Sequence, residues 1–186
     1  GAGPDAAPAP DGTPADAGAC PEFLVADDGT AVGLFDVVIS ELSVAGGYLE
    51  LFNHTDSDVD LSTLTGHRWC VFPTYPLVSA DAVTVPAHGF ATIPLPAASS
   101  LSEAGGELVL YKDSAYASPN SVLDYLCWGT GQKVRKATAE AAGKWSGDCL
   151  PAIPAGGAIH RNTGQEGIDA TDYTVDATQS PLNCAP

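Results

Sequence analysis

The chain has 186 residues, 45% of them hydrophobic, with 7 Lys and Arg set against 23 Asp and Glu, a formal net charge of −16 with neutral histidines. That length supports one substantial core and not two, and so negative a surface repels the phosphates of nucleic acid and of anionic lipid, which excludes both as expected partners. No run reaches the ~20 apolar residues that a membrane-spanning helix needs.

Residues 1–19 hold only Ala, Gly, Pro, Asp and Thr. With no large side chain to offset the entropy of ordering, this stretch reads as a linker. Its only charges are Asp5, Asp11 and Asp16, so most of the acidity belongs to residues 20–186, read as one domain. The sequence contains no methionine, and the expectation is a processed chain whose precursor carried a signal peptide or a lipoprotein signal.

From Cys20 onward, short apolar runs are divided by turn residues at intervals of about ten, the texture of an all-β domain. Val37-Val38-Ile39 opens a strand that ends near Leu42, and Gly46-Gly47 turns the chain. Residues 48–53 then alternate, with Leu49 and Leu51 on one face. Thr55-Asp56-Ser57-Asp58 turns it again into Val59-Asp60-Leu61, while Gly66 and Pro73 bracket a strand over 69–72. Further strands are expected at 83–85, 90–93, 107–111 and 122–128. Residues 134–144, rich in Ala, Lys and Glu and stopping at Gly143, form the one expected helix. A last strand is expected around 158–161, followed by a long acidic tail. Together these give an antiparallel β-sandwich with one short helix inserted late in the chain.

The runs VVISEL, GGYLELFN and SDVDLSTL resemble the opening of the lamin tail domain. Ile39-Ser40-Glu41 stands for its INE strand, Tyr48 to Asn53 for W-I-E-L-x-N, and Asp60-Leu61-Ser62 for D-L-S-G-W, with Ser40, Tyr48 and Leu64 as departures. Val85-Pro86-Ala87-His88-Gly89 is similar to the L-P-A-G turn, the segment from Gly105 to Leu110 to G-x-x-L-x-L, and Val122 to Gly129 to V-D-x-V-x-W-G. Arg161, Asp169, Asp172-Tyr173, Ser180-Pro181 and Asn183 follow the order of the closing motif. The resemblance spans about residues 36–184 and rests on the order of motifs. It implies an immunoglobulin-like sandwich of the kind found in nuclear lamins and in secreted bacterial proteins beside hydrolase or adhesive domains. It brings no catalytic residues.

Independently of that resemblance, Glu41, Glu50 and Asp124 fall inside strands. A lone inward carboxylate there is costly, so each is expected to meet a backbone N–H, a hydroxyl or Arg161. Asp56, Asp58 and Asp60 alternate as D-x-D-x-D, a pattern that would supply several hard oxygens to calcium; as residues between two strands they equally serve as turn formers. Glu166, Asp169, Asp172 and Asp176 form a second acidic patch, open to a divalent ion or to plain exposure. Lys133, Arg135, Lys136 and Lys144 gather four of the seven cations, for an anion contact or a solvated helix face. Asn53-His54-Thr55 matches the N-glycosylation acceptor. Of the three tryptophans, Trp69 and Trp128 sit in strands and read as core, which leaves Trp145 as the candidate ligand platform.

The cysteines are Cys20, Cys70, Cys127, Cys149 and Cys184, with no C-x-x-C and no histidine at a metal-ligand spacing. Scattered in this way they fit an oxidising compartment, with two bridges and one thiol left over. Spacing does not fix the connectivity; the favoured pair is Cys149 with Cys184, both in turn-bounded sequence near the chain's end. No nucleophile elbow occurs, since residues 143–147 read G-K-W-S-G, and His54, His67, His88 and His160 are isolated. The expected function is therefore non-catalytic and needs no cofactor: an extracellular or cell-envelope module that binds a protein or a surface polymer. The alternative is a calcium-dependent binder or an accessory domain of a secreted hydrolase.

Overall fold

The computed structural model describes residues 37–63, 68–72, 83–96, 101–162 and 168–180. The expected 1–19 linker, Cys20, Glu166 and Cys184 lie outside the described residues, as do the side chains of Trp69 and Cys70. Among the described residues the fold is all-β with one short α-helix, as the sequence leads one to expect. Its elements are β1 (Val37–Ser43), β2 (Tyr48–Asn53), β3 (Val59–Asp60), β4 (Arg68–Phe72), β5 (Thr84–Val85), β6 (Phe90–Pro94), β7 (Gly105–Tyr111), β8 (Val122–Gly129), α1 (Lys136–Ala141), β9 (Ala158–Arg161) and β10 (Tyr173–Asp176). They pair antiparallel in a five-stranded sheet, β10-β9-β1-β2-β6, a three-stranded sheet, β4-β7-β8, and a short ribbon, β3-β5.

One hydrophobic core joins the two larger sheets. The five-stranded sheet contributes Val37, Ile39, Leu42, Leu49, Leu51, Ile93 and Ile159, and the three-stranded sheet contributes Leu108, Leu110, Leu126 and Trp128 from alternate positions of β7 and β8. Strict alternation along β1 would send Glu41 inward after Ile39 and turn Leu42 out. A register shift between Ile39 and Glu41 prevents this: Ile39 pairs with Leu51, Glu41 with Glu50 and Leu42 with Leu49. Ser40 is the extra residue of this bulge. It keeps Leu42 fully buried, a gain of about 1.5–3 kcal/mol over exposure, and keeps a carboxylate out of the core.

β10 corrects the sequence reading, which placed an acidic tail there. Tyr173 pairs with Arg161 and Val175 with Ile159, so the two apolar residues of Tyr-Thr-Val-Asp share the face of β9 that looks into the sandwich. The helix is also shorter than residues 134–144. At its start the N–H groups of Val134 and Arg135 donate to the Glu107 carboxylate at 2.9 and 3.2 Å, and at its end Gly143 takes a φ of +70°, a left-handed conformation that favours glycine.

The segment that carries α1 covers the other side of the three-stranded sheet. Glu107, Val109, Tyr125 and Cys127 point there by register, and Ala139, Trp145 and Leu150 join the same cluster. A disulfide between Cys127 and Cys149, with Cα atoms 5.1 Å apart, ties the segment down. Cys149 is thus bonded to Cys127 and not to Cys184. The chain returns beside β8, where Leu150 N–H donates to Cys127 C=O and Gly129 N–H donates to Leu150 C=O, and this brings the two sulfurs within bonding reach. At the rim, Trp128 donates its indole N–H to Ser102 C=O at 2.9 Å and lies so close to Gly106 that a Cβ there would stand 2.5 Å from the ring.

Candidate functional site

The bulge at Ser40 gathers the polar residues of the outer face of the five-stranded sheet into one row. By register Thr92, Glu50, Glu41, His160 and Thr174 lie side by side across all five strands. Glu50 accepts from Ser40 Oγ at 2.7 Å. Glu41 accepts from the Tyr48 hydroxyl, from Ser180 N–H at 3.1 Å and from Ser180 Oγ at 2.9 Å. Nδ1 of His160 faces Glu41 Oε2 at 3.4 Å, and its Nε2 faces Asp176 Oδ1 at 3.4 Å. Burial works against ionised Glu41, but bonds from His160, Tyr48 and Ser180 outweigh it and hold the carboxyl below its ordinary pKa. Burial likewise opposes the imidazolium, and Glu41 and Asp176 overcome it, so that the His160 pKa is raised. Burial, and then Glu41, push the Tyr48 phenol upward.

Serine, histidine and carboxylates in contact resemble a nucleophilic triad in composition. The geometry is that of an ion cluster. The Ser180 hydroxyl directs its proton to Glu41 and stands 3.5 Å from Nδ1, both imidazole nitrogens face carboxylates, and the histidine is only 1% exposed. A general base must have a free lone pair within reach of the proton it takes.

Between the two sheets, Arg161 crosses from β9 to Asp124 on β8. Its Nη2 lies 3.2 Å from Asp124 Oδ2, its Nε donates to Ile39 C=O, and its guanidinium carbon sits 5.0 Å from the centre of the Tyr173 ring. Burial raises the Asp124 pKa, and Arg161 pulls against it. The expectation that Glu41, Glu50 and Asp124 find hydroxyl, backbone or Arg161 partners is met at each residue.

The calcium candidates do not converge. Asp56 Oδ1 contacts His88 Nε2 at 2.8 Å, Asp58 accepts from Ala87 N–H at 2.9 Å, and Asp60 accepts from Ser62 N–H at 2.9 Å and from its hydroxyl at 2.6 Å. Asp60 makes a local turn bond, whereas Asp56 and Asp58 reach across to the turn at 86–89, so each carboxylate serves a different partner. Among the described residues no group of three His, Cys, Asp or Glu side chains is placed to hold a metal ion. The second acidic patch is also spent on turns. Asp169 accepts from Thr171, Asp172 accepts from the N–H groups of Ile168 and Asp169, and Asp176 accepts from Thr178.

Asn53 is fully buried and its amide donates to Ser57 C=O and Val85 C=O, so the glycosylation motif is sealed in the fold. Trp145 is 2% exposed, with its ring 5.6 Å from that of Tyr125 and 6.1 Å from that of Tyr173, so it is a packing residue and not an open platform. Trp128 is core, as expected. In the basic segment Lys133 caps the carbonyls of Gly129, Thr130 and Gly131, and Lys136 pairs with Glu140 one turn on.

His160 and Glu107 are the polar residues whose roles sequence reasoning missed. The signal for His160 is its place in Ala-Ile-His-Arg, alternate to Ile159, which marks the outer face of a strand. Glu107 accepts from Tyr125 Oη at 2.8 Å and from the two N–H groups ahead of α1, and burial raises its pKa. No protein-family model, no curated protein and no solved structure matches this chain.

Proposed function

We propose that the chain is a non-catalytic module that works outside the reducing cytoplasm, at the cell envelope or beyond it, and binds a basic protein or a cationic surface polymer. The observation that carries this reading is that, among the described residues, the buried ionisable side chains in the strands are spent on partners within the fold. Glu41 with His160 and Asp124 with Arg161 are buried pairs, and Glu107 anchors the α1 segment. Among the described residues, negative charge faces water from loops such as that of Asp56, whose side chain is 98% exposed. A formal charge of −16 favours a partner of opposite sign through long-range attraction. The Cys127–Cys149 bridge supports an oxidising location. The order of sequence motifs supports a domain of the lamin-tail, immunoglobulin-like kind.

The test is co-sedimentation of the labelled full chain with envelope fractions of its own host at low and high salt, with excess unlabelled chain as competitor. Retention that is competed and that falls with salt supports the reading. Absence of saturable retention overturns the binding role, and turnover of ester, peptide or glycoside substrates by the purified chain overturns the non-catalytic one.

A further inference from the structure

His160 stands between carboxylates from two strands, and one of these also shapes the turn into the C-terminal segment. Both ring nitrogens look at acceptors: Nδ1 at Glu41 and at a Ser180 oxygen whose proton is directed to Glu41, Nε2 at Asp176. A neutral imidazole has one N–H and one lone pair, so only the imidazolium meets both carboxylates favourably. The groups around it come from every neighbouring element: Glu41 on β1, Glu50 and Tyr48 on β2 one strand beyond, Thr174 and Asp176 on β10, and Thr178 and Ser180 after β10.

The two facing carboxylates differ in their freedom. The Glu41 side chain is 2% exposed and held by Tyr48 and Ser180, whereas that of Asp176 is 32% exposed and can turn to water. The same Asp176 oxygen accepts from the N–H and the hydroxyl of Thr178, each at 2.7 Å, and so bends the chain from β10 toward Ser180. Loss of the proton from His160 therefore acts first on Asp176 and then on the segment that Asp176 positions.

We propose that His160 is a pH-operated latch: as a buried imidazolium it holds residues 177–180 against the outer face of the five-stranded sheet, and on deprotonation it frees Asp176 and, with it, the bonds of Ser180 to Glu41. Because the folded pKa of His160 is raised, the latch is fully closed below the ordinary value of 6.5 and opens as pH rises through the raised one.

The test uses the full chain from about pH 5 to about pH 9, with the His160 imidazole followed by NMR and amide exchange followed by mass spectrometry and corrected for intrinsic rates. The expected result is an imidazole that titrates above 6.5. Through the same range the protection of residues 177–180 falls about ten- to hundredfold, the factor that corresponds to a hydrogen bond to a charged group, while β7 and β8 stay protected. His160→Gln, which offers donors without charge, lacks that protection at low pH and gives a flat profile. An imidazole titrating at or below 6.5 overturns the proposal, as does pH-independent protection of 177–180 in the parent. If His160→Gln does not fold, these two readouts on the parent decide the matter by themselves.

Discussion

Replacing both Cys127 and Cys149 by Ser removes a cross-link that spans 22 positions and closes the α1 segment onto β8. For a loop of that size the chain-entropy relation gives about 3 kcal/mol at 25 °C. In a domain of this size that is a fall in Tm of about 6–12 °C. The segment is not expected to detach, because Glu107 still receives the N–H groups of Val134 and Arg135 and Leu150 still bonds to both Cys127 and Gly129. The loss should therefore appear in global stability with the far-ultraviolet spectrum unchanged. The assay is thermal unfolding by circular dichroism of the parent and the double variant, each with and without reductant. Reductant should lower the parent to the level of the variant; a further loss in the variant would come from another bridge among Cys20, Cys70 and Cys184. A double variant that melts within about 2 °C of the oxidised parent would refute the reasoning, since even 1 kcal/mol shifts a domain of this size by about that much.

Arg161→Met should destabilise by about 3–5 kcal/mol in urea unfolding, because Asp124 is then left buried without its counter-ion. Arg161→Met with Asp124→Leu should recover most of that loss. Equal costs for the single and the double variant would show that the pair itself is not the source. Glu107→Ala leaves the Tyr125 hydroxyl and two backbone N–H groups without an acceptor and should cost about 2–4 kcal/mol. Glu107→Gln keeps an acceptor oxygen and should cost clearly less, and identical melts for the two would contradict this role. Calcium or a chelator should leave the melt of the full chain unmoved, since Asp56, Asp58 and Asp60 each bond a different partner, His88, Ala87 and Ser62. A rise of several degrees with calcium would overturn that account.

Much of the architecture was legible because period-2 patterns are local. Residues 48–53 alternate, and β2 has those bounds. The demand that Asp124 find a partner, with Arg161 the candidate cation, also follows from strand context alone, because a buried carboxylate without a partner is too costly to keep. β10 was obscured because acidic neighbours on both sides of Tyr173 and Val175 masked a four-residue alternation. The pairing of Cys149 depended on where the chain returns beside β8, a tertiary fact that loop composition does not encode. Trp145 looked available because it follows a helix, yet the aromatic rings of Tyr125 and Tyr173 enclose it. Glu107 was legible as the start of a strand. Its role was not, because the N–H groups it accepts lie 27 and 28 positions along the chain.

The extra residue in β1 has a consequence for any graft or chimera. The two halves of that strand, 37–39 and 41–43, alternate out of phase, so each behaves as its own cassette with Ser40 as the spacer between them. Exchanging either half with a homologous strand preserves inside and outside only if the spacer travels with the junction. A swap that smooths β1 into a regular strand would deliver Glu41 to the leucines and strand His160 without its neighbour.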